Sequence, residues 1–337
     1  NQHGLAMMRD AWHACQDTEV IFSSFTSDVF AASIAERLRA RHISTPLLPA
    51  LVATRSGLAT QQAPFPNRQS LVNYLFGKWL VEPLGWRLMG AINNQFRREV
   101  LGLPPQTVRD HRQRMRSALV IQGFSPHVVP HPLDWPANIH TTGYWFLDEG
   151  RAWQPPPALA GFLEAGAPPV FIGFGSMTGR EPQKLTRLLV DAVVQSGQRA
   201  ILQSGWAGIG GMQLPPQIFL LGNAPHQWLF PHLGAAVHHG GAGTTAASLR
   251  AGVPTVIVPH LADQPFWGWR VAALGVGPQP IPRHRLTAAN LAGAIHRAAT
   301  DEVMKRRAGQ LGANIRAEDG IGVAVGLVDR FLSGASS

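Results

Sequence analysis

The chain has 337 residues, which at about 150 residues per domain predicts two domains. Apolar residues make up 45% of the chain and charged residues only 15%, which excludes an intrinsically disordered protein. The net charge of +9 suggests an anionic partner, but the basic residues are spread along the chain and no nucleic-acid-binding motif accompanies them, so nucleic acid is disfavoured.

The number of cysteines and the lengths of the apolar runs indicate the cellular compartment in which the protein is expected. Cys15 is the only cysteine, so an internal disulfide and a cysteine-based metal cluster are excluded, and a reducing, cytoplasmic compartment fits. The longest apolar runs fall short of the roughly 18 residues that a spanning helix needs, and the first ten residues lack the apolar core of a signal peptide. We therefore expect a cytoplasmic protein whose membrane contact, if any, is peripheral.

The N-terminal half predicts an irregular alternation of helices and strands. Helices are expected over 5–13 and 29–39, and strands over 20–24 and 117–122. Between them lies an aromatic stretch that would suit a flat apolar ligand and equally the packing of a helix: Tyr74, Phe76, Trp79 and Trp86. Four arginines then follow, which would suit anionic lipid headgroups or a solvated helix face: Arg109, Arg112, Arg114 and Arg116.

The C-terminal half predicts regular βα units. Strands are expected over 170–175, 199–203, 218–221, 235–239 and 255–259. Helices are expected over 182–196, 244–251, 264–274, 288–299 and 323–332. Strands separated by helices favour parallel pairing, hence an α/β, doubly wound domain with ligands at the carboxyl ends of its strands. Pro-rich segments at 153–157 and before Pro169 indicate an interdomain linker, with the boundary near residue 150.

A glycine cluster follows one predicted strand and opens a helix. Its sequence is His238-His239-Gly240-Gly241-Ala242-Gly243-Thr244-Thr245. In that context the backbone approaches a phosphate closely and the first helical N–H groups point at it, with His238 and Thr244 as further donors. The alternative is a tight βα connection without a ligand.

A second glycine-containing loop, Gly173 to Met177, also ends a strand. Gly175 leaves backbone N–H groups of the loop accessible to a ligand, and Ser176 would cap the next helix or hold a phosphate. Two such loops at one edge of a sheet are what a diphosphate needs.

Asp263 and Gln264 follow the last predicted strand. Asp263 would serve as a helix N-cap, or the pair would bind vicinal sugar hydroxyls. No Asp-x-Asp occurs in the sequence, so a carboxylate-held divalent metal on a diphosphate is disfavoured.

The run from Pro225 to Gly268 resembles the nucleotide-sugar signature of the UDP-glycosyltransferases, most closely the sterol 3-β-glucosyltransferase branch and its bacterial relatives. The likeness extends through P-H-P-L-D-W-P at 130–136, T-G-Y-W-F-L-D-E-G at 142–150 and G-F-G-S-M at 173–177. The resemblance implies a GT-B fold of two Rossmann-like domains. It places acceptor binding in residues 1–150 and the nucleotide sugar in 151–337, with the last helix returning to the first domain.

The resemblance also implies roles for particular residues. His238 would stabilise the leaving diphosphate, which Gly241, Gly243, Thr244 and Ser176 would also hold, while Asp263 and Gln264 would hold the sugar. Ala224 and His226 fall where the family reads the base, and Trp206 would stack on it or belong to the core; Asn223 stands where many plant relatives have the stacking tryptophan.

The N-terminal domain departs from the family pattern. Relatives begin with a strand and a glycine-rich loop carrying the base that activates the acceptor, so we expect the first βα units and that base to lie before Asn1. His3, His13 and His42 are alternative bases, but surface or packing roles are more common for such histidines.

Three hypotheses follow. The leading one is inverting transfer of a hexose, glucose from UDP-glucose, to a hydroxyl of an apolar acceptor such as a sterol, with no metal and no other cofactor. The second is a natural-product (polyketide or macrocycle) glycosyltransferase using a dTDP- or UDP-sugar. The third is a chain that binds a nucleotide sugar without turnover, because the base-carrying segment is absent.

Overall fold

The protein is described by a computed structural model that covers residues 2–49, 52–59, 63–147, 153–175, 181–204 and 213–334. It divides into two compact units. The first unit comprises Asn1–Trp145 with Asp319–Ser337, and the second comprises Phe146–Glu318. Each unit contains its own parallel sheet with helices, which confirms the predicted α/β class.

The first unit is built on four parallel strands in the order β1-β2-β3-β4. These strands are β1 (Val20–Ser23), β2 (Arg41–Ser44), β3 (Leu119–Gln122) and β4 (Ile139–Thr141). Its first five helices are α1 (Gln2–Ala14), α2 (Asp28–Leu38), α3 (Leu71–Phe76), α4 (Glu82–Phe96) and α5 (Val108–Ser117). The sequence pattern had not predicted β2, β4, α3, α4 or α5.

One long helical segment dominates the first unit. A π-helical turn, Gly77–Val81, joins α3 to α4, and a second one, Arg97–Leu101, follows α4. Gly102 ends the segment in the left-handed conformation, at φ 66°. A π-helical turn holds about one residue more than an α-helical turn, so a row of side chains four residues apart continues one position later beyond the turn.

The second unit is built on five parallel strands in the order β7-β6-β5-β8-β9. These are β5 (Val170–Gly173), β6 (Ala200–Gln203), β7 (Ile218–Leu221), β8 (Ala235–His238) and β9 (Thr255–Ile257). Its helices are α6 (Pro157–Glu164), α7 (Pro182–Ser196), α8 (His226–Leu229), α9 (Ala242–Ala251), α10 (Gln264–Ala273), α11 (Ala288–Thr300) and α12 (Glu302–Arg316). Strands β5, β8 and β9 are wholly buried, as their unbroken apolar runs predict, whereas β7 at one edge of the sheet exposes Leu220.

One prediction for this half was wrong. The predicted linker contains α6, whose Leu159 is fully buried with Phe171 and Ile201 of the sheet. Trp153, which precedes it, packs edge-on against Trp228 at a centroid distance of 4.8 Å. The prolines there precede and begin a helix, which is a position that proline favours. The pattern had made no prediction for α8 or α12.

The last helix, α13 (Gly320–Ser333), belongs to the first unit. Its Leu327 packs with Ile43 of β2 and with Leu119 and Ile121 of β3. The Arg41 guanidinium donates to the carbonyls of Phe331 and Leu332, both at 2.5 Å. None of the described helices is long and apolar enough to cross a bilayer.

Candidate functional site

The second unit has a topological switch point between β5 and β8. From β5 the sheet grows through β6 and β7 on one side and through β8 and β9 on the other. Gly173 at the end of β5 lies in register with His238 at the end of β8. The two predicted glycine loops therefore leave the same edge side by side, in the crevice where doubly wound sheets bind ligands.

Glycines are required at two points of this crevice. Gly240 has φ 91°, and a Cβ there would lie 2.6 Å from Cγ2 of Ile257. Gly175 has φ 56° and faces the ring of His239, whose Cε1 a Cβ would approach to 3.3 Å. Side chains at either position would strain the backbone and narrow the space around the two loops.

The N-terminus of α9 opens into the same crevice. The helix begins at Ala242 after Gly241, and no side chain of the described residues caps it. The first intrahelical bond from this turn is made by the Thr245 N–H to the Gly241 carbonyl, so within the described part of the chain the amides of Ala242, Gly243 and Thr244 remain for a ligand. Gly243 is exposed, and a Cβ there would meet no described atom within 4 Å. Three amides and the positive end of the helix dipole favour an anion here.

His238 is not placed for the predicted contact with a diphosphate. Its side chain is fully buried at the end of β8. Nδ1 accepts a hydrogen bond from the Gly240 N–H at 3.1 Å, and Nε2 lies 3.3 Å from Oγ of Ser248. Burial, with His239 and His226 nearby, lowers its pKa well below 6.5, so the ring is neutral. His238 therefore shapes the glycine turn from beneath.

His239 is the imidazole that faces the two glycine loops. A Cβ on Gly241 would lie 2.6 Å from its Nε2, and one on Gly175 would lie 3.9 Å from its Nδ1. Nδ1 is buried without a hydrogen-bond partner among the described residues. Burial lowers the pKa of this ring while the Asp263 carboxylate opposes that shift. The His239 ring is therefore neutral, lies between the two glycine loops and, within the described residues, has a free nitrogen, so it can form a hydrogen bond with a ligand in the crevice.

Asp263 and Gln264 differ in their availability. Asp263 is half-buried, and its carboxylate accepts from Nε1 of Trp267 at 2.9 Å. Ala262 before it has φ 56°, a strained conformation for alanine that turns the chain into α10. Gln264 is buried, and its Oε1 accepts the N–H groups of His260 and Leu261. The side-chain oxygen of Gln264 therefore holds the loop that contains His260 and Leu261. Of the two residues, Asp263 is the better placed for sugar hydroxyls.

The residues predicted to read the base pack into the core. Ala224 is buried, so only its main chain is available to a base. The His226 ring stacks on Phe230 at a centroid distance of 4.5 Å, and burial lowers its pKa to about 4. Two further predicted residues, Ser176 and Trp206, lie outside the described residues.

The first unit contains an open, mainly apolar cavity of about 210 Å³. Phe25, Val29, Trp86 and Met89 line it with Asp28, among others. Its volume is below the roughly 300–1,000 Å³ of complete small-molecule sites, so it suits one end of an extended ligand. Of the aromatic stretch predicted for the acceptor, Trp86 lines this cavity, whereas Tyr74, Phe76 and Trp79 do not.

A polar cluster lies at the cavity around Asp28. Its carboxylate accepts from Ser23 at 3.1 Å and pairs with Arg114 at 3.1 Å. Burial alone would raise the pKa of Asp28, but the Arg114 and His42 charges and hydrogen bonds to Ser44 and Arg114 hold it below its usual value. His111, beside Arg114, also lines the cavity, and burial lowers its pKa to about 4.

Several residues proposed as the catalytic base or as lipid-binding groups make other contacts in the structure. His42 is buried beside Ser23, with a pKa that burial lowers to about 4, while His3 and His13 are exposed on α1. Two of the four arginines proposed for lipid headgroups are engaged inside the unit. These are Arg112, which pairs with Glu82, and Arg114, which pairs with Asp28.

Comparison with known proteins defines the class. Residues 188–320 match the family described as erythromycin biosynthesis protein CIII-like, C-terminal domain. Among solved structures, the glycosyltransferase of kitacinnamycin superposes with a TM-score of 0.68 at 20% identity, over 97% of this chain and 80% of that one. The calicheamicin glycosyltransferase superposes with a TM-score of 0.65 at 20% identity, over 99% and 80%. The fold is therefore that of the GT-B glycosyltransferases.

Within this fold class, the similar curated relatives are sterol 3-beta-glucosyltransferases. The protein of Cryptococcus neoformans is 38% identical over 355 residues, which cover 98% of this chain and 22% of that protein. The Arabidopsis thaliana protein is 41% identical over 283 residues, which cover 82% and 44%. The chain thus spans less than half the length of these relatives.

Proposed function

We propose that this chain transfers glucose from UDP-glucose, with inversion, to a hydroxyl of an apolar acceptor such as a sterol. The sterol 3-beta-glucosyltransferases among its relatives support this acceptor class. The observation that carries the proposal is the crevice of the second unit, where His239 lies between two glycine loops beside the uncapped start of α9. That arrangement suits a diphosphate that gains negative charge as the sugar leaves.

The donor would be held by groups with distinct tasks. The α9 amides and the His239 ring would donate to the diphosphate oxygens, so they stabilise the leaving group. Asp263 would accept from sugar hydroxyls while Trp267 fixes its carboxylate. The apolar cavity of the first unit would take one end of the acceptor. Independence from divalent metal remains a prediction from the missing Asp-x-Asp, and a cytoplasmic location remains one from the single cysteine.

A product assay combined with calorimetry tests the proposal. The full-length protein is incubated with UDP-glucose and a sterol in detergent, with and without EDTA, and the glycoside is identified by mass spectrometry. We expect a β-glucoside in both conditions and saturable binding of UDP.

Two outcomes would replace the proposal. Product formed only from a dTDP-sugar and a polyketide or macrocyclic acceptor would favour a natural-product glycosyltransferase. Binding of UDP-glucose without any product, across a panel of acceptors, would favour a chain that binds nucleotide sugars without turnover.

A further inference from the structure

The long helical segment of the first unit presents an apolar face to solvent. Two rows of side chains four residues apart form it, and the rows meet at Trp79 and Leu80. We define the apolar face by its exposed members Leu71, Leu75, Trp79, Leu80, Leu84 and Leu88. Trp79 is 67% exposed and Leu88 is 72% exposed. Single exposed leucines are ordinary, but a contiguous apolar strip of this kind marks an interaction site.

Specific hydrogen bonds and close packing hold the segment with this side outward. Asn73 is fully buried, and its amide donates to the carbonyls of Arg55, Phe65 and Arg68. Gly77 approaches Ala53 so closely that a Cβ would lie 3.1 Å from its Cα. Over its first two turns, the inward side thus carries a bonded asparagine and a glycine while the leucines face water, the reverse of an ordinary surface helix.

Two cations, Lys78 and Arg87, lie beside the apolar face. The Lys78 ammonium lies 5.6 Å from the ring centroids of both Tyr74 and Trp79. Arg87 is exposed three residues after Leu84, on the same side. The acidic residue between them, Glu82, is engaged by Arg112 at 2.6 Å. An apolar strip with an exposed tryptophan and flanking cations matches the boundary between headgroups and acyl chains of an anionic bilayer.

We propose that the apolar face docks the protein on the surface of an anionic lipid bilayer. The face is continuous with the cavity, because Gly85, Trp86, Leu88 and Met89 of the same helix line it. An apolar acceptor dissolved in the bilayer would therefore enter the cavity beside the docked helix. This last step rests on the proposed function, whereas the docking itself does not.

Vesicle flotation tests the docking with the full-length protein. The probes are vesicles of phosphatidylcholine alone and of phosphatidylcholine with 30% phosphatidylserine. We expect wild-type protein to float with the anionic vesicles, and the double variant Leu80→Gln with Leu84→Gln to lose on the order of tenfold in partitioning because it buries less apolar surface. Arg87→Gln should lose about fivefold on anionic vesicles only, since one cation near such a surface contributes roughly that factor.

A matched control replaces exposed apolar residues elsewhere. Leu133→Gln with Val303→Gln removes two exposed side chains outside the apolar face and should float like wild type. Thermal unfolding of each variant checks that the fold is kept. Equal flotation of the Leu80/Leu84 variant and wild type would overturn the proposal, as would wild-type protein that ignores vesicles and self-associates through this face in sedimentation analysis.

A second readout separates this proposal from the proposed function. The Leu80/Leu84 variant should glucosylate a detergent-solubilised sterol at the wild-type rate but a vesicle-dissolved sterol at least several-fold more slowly. If no acceptor is glucosylated by any form, the proposed function fails while the flotation result still decides the docking.

Discussion

The pair His238 and His239 shows how much one position along a strand matters. β8 ends at His238, and successive residues of an extended chain point to opposite sides, so the His238 ring enters the core while His239, the next residue, faces the other way. The sequence pattern, read through the family resemblance, selected His238 for the diphosphate. The structure buries His238 under the glycine turn and leaves His239 between the loops. Which of the two lies inward depends on the packing of β8 against helices, which composition and spacing do not encode.

Substituting each histidine separates the two roles. His239→Ala should weaken UDP binding and slow glucosyl transfer by about 10²–10³-fold, the usual cost of one donor to a developing charge. His238→Ala should instead lower the free energy of unfolding by about 1–3 kcal/mol, because the buried Gly240 N–H loses its acceptor. Calorimetric titration with UDP and chemical unfolding of both variants measure this. A His239→Ala protein with wild-type UDP affinity would refute the assignment.

At the scale of elements, the site depends on where α9 begins. The chain between β8 and α9 turns tightly against Ile257 and then presents free amides at the start of the helix. A different glycine serves each of these two features. Gly240 supplies the left-handed turn, whereas Gly243 supplies open space at the first helical turn. This division of tasks was not evident from the glycine count alone.

The two glycines should therefore respond differently to alanine. Gly240→Ala should destabilise the protein by more than about 1 kcal/mol, since it adds a Cβ at positive φ against Ile257. Gly243→Ala should leave stability unchanged or raise it by up to about 1 kcal/mol, yet weaken UDP binding, because the methyl group enters the space above the amides. Unfolding curves and UDP titrations of the two variants give the comparison. Unaltered UDP affinity in Gly243→Ala would contradict a diphosphate at this helix start.

At the scale of the whole molecule, several buried histidines are neutral. Burial lowers the pKa of His42, His111 and His226 to about 4, whereas in the unfolded chain a histidine titrates near 6.5. The unfolded chain therefore binds more protons between about pH 4 and 6.5. The stability that these histidines contribute is therefore fully present above about pH 6.5 and is lost as the pH drops towards 4, by up to roughly 3 kcal/mol per histidine.

The pH dependence has a matched variant. His226→Phe keeps an aromatic ring beside Phe230 but removes the titrating group. We expect its free energy of unfolding to fall less than that of wild type between pH 7 and pH 4.5, by about 1–3 kcal/mol. Urea unfolding at several pH values measures the difference. Parallel curves for the two proteins would show that His226 is not among the groups responsible.

The pattern of residues by itself determined the α/β class, the five strands of the second unit and the glycine-containing edge of its sheet. Periodicity suffices there because most of these strands are buried on both faces and each βα unit repeats the same spacing. It did not reveal the long helical segment, which exposes a row of leucines and so departs from the pattern on which such predictions depend. Tertiary structure alone decided that His239 faces the crevice and that Gln264 closes a loop, and it selected Trp86 from the predicted aromatic stretch as the residue that lines the cavity. Each of these depends on contacts between residues that are distant in the sequence. Such contacts cannot be predicted from the local spacing of polar and apolar residues.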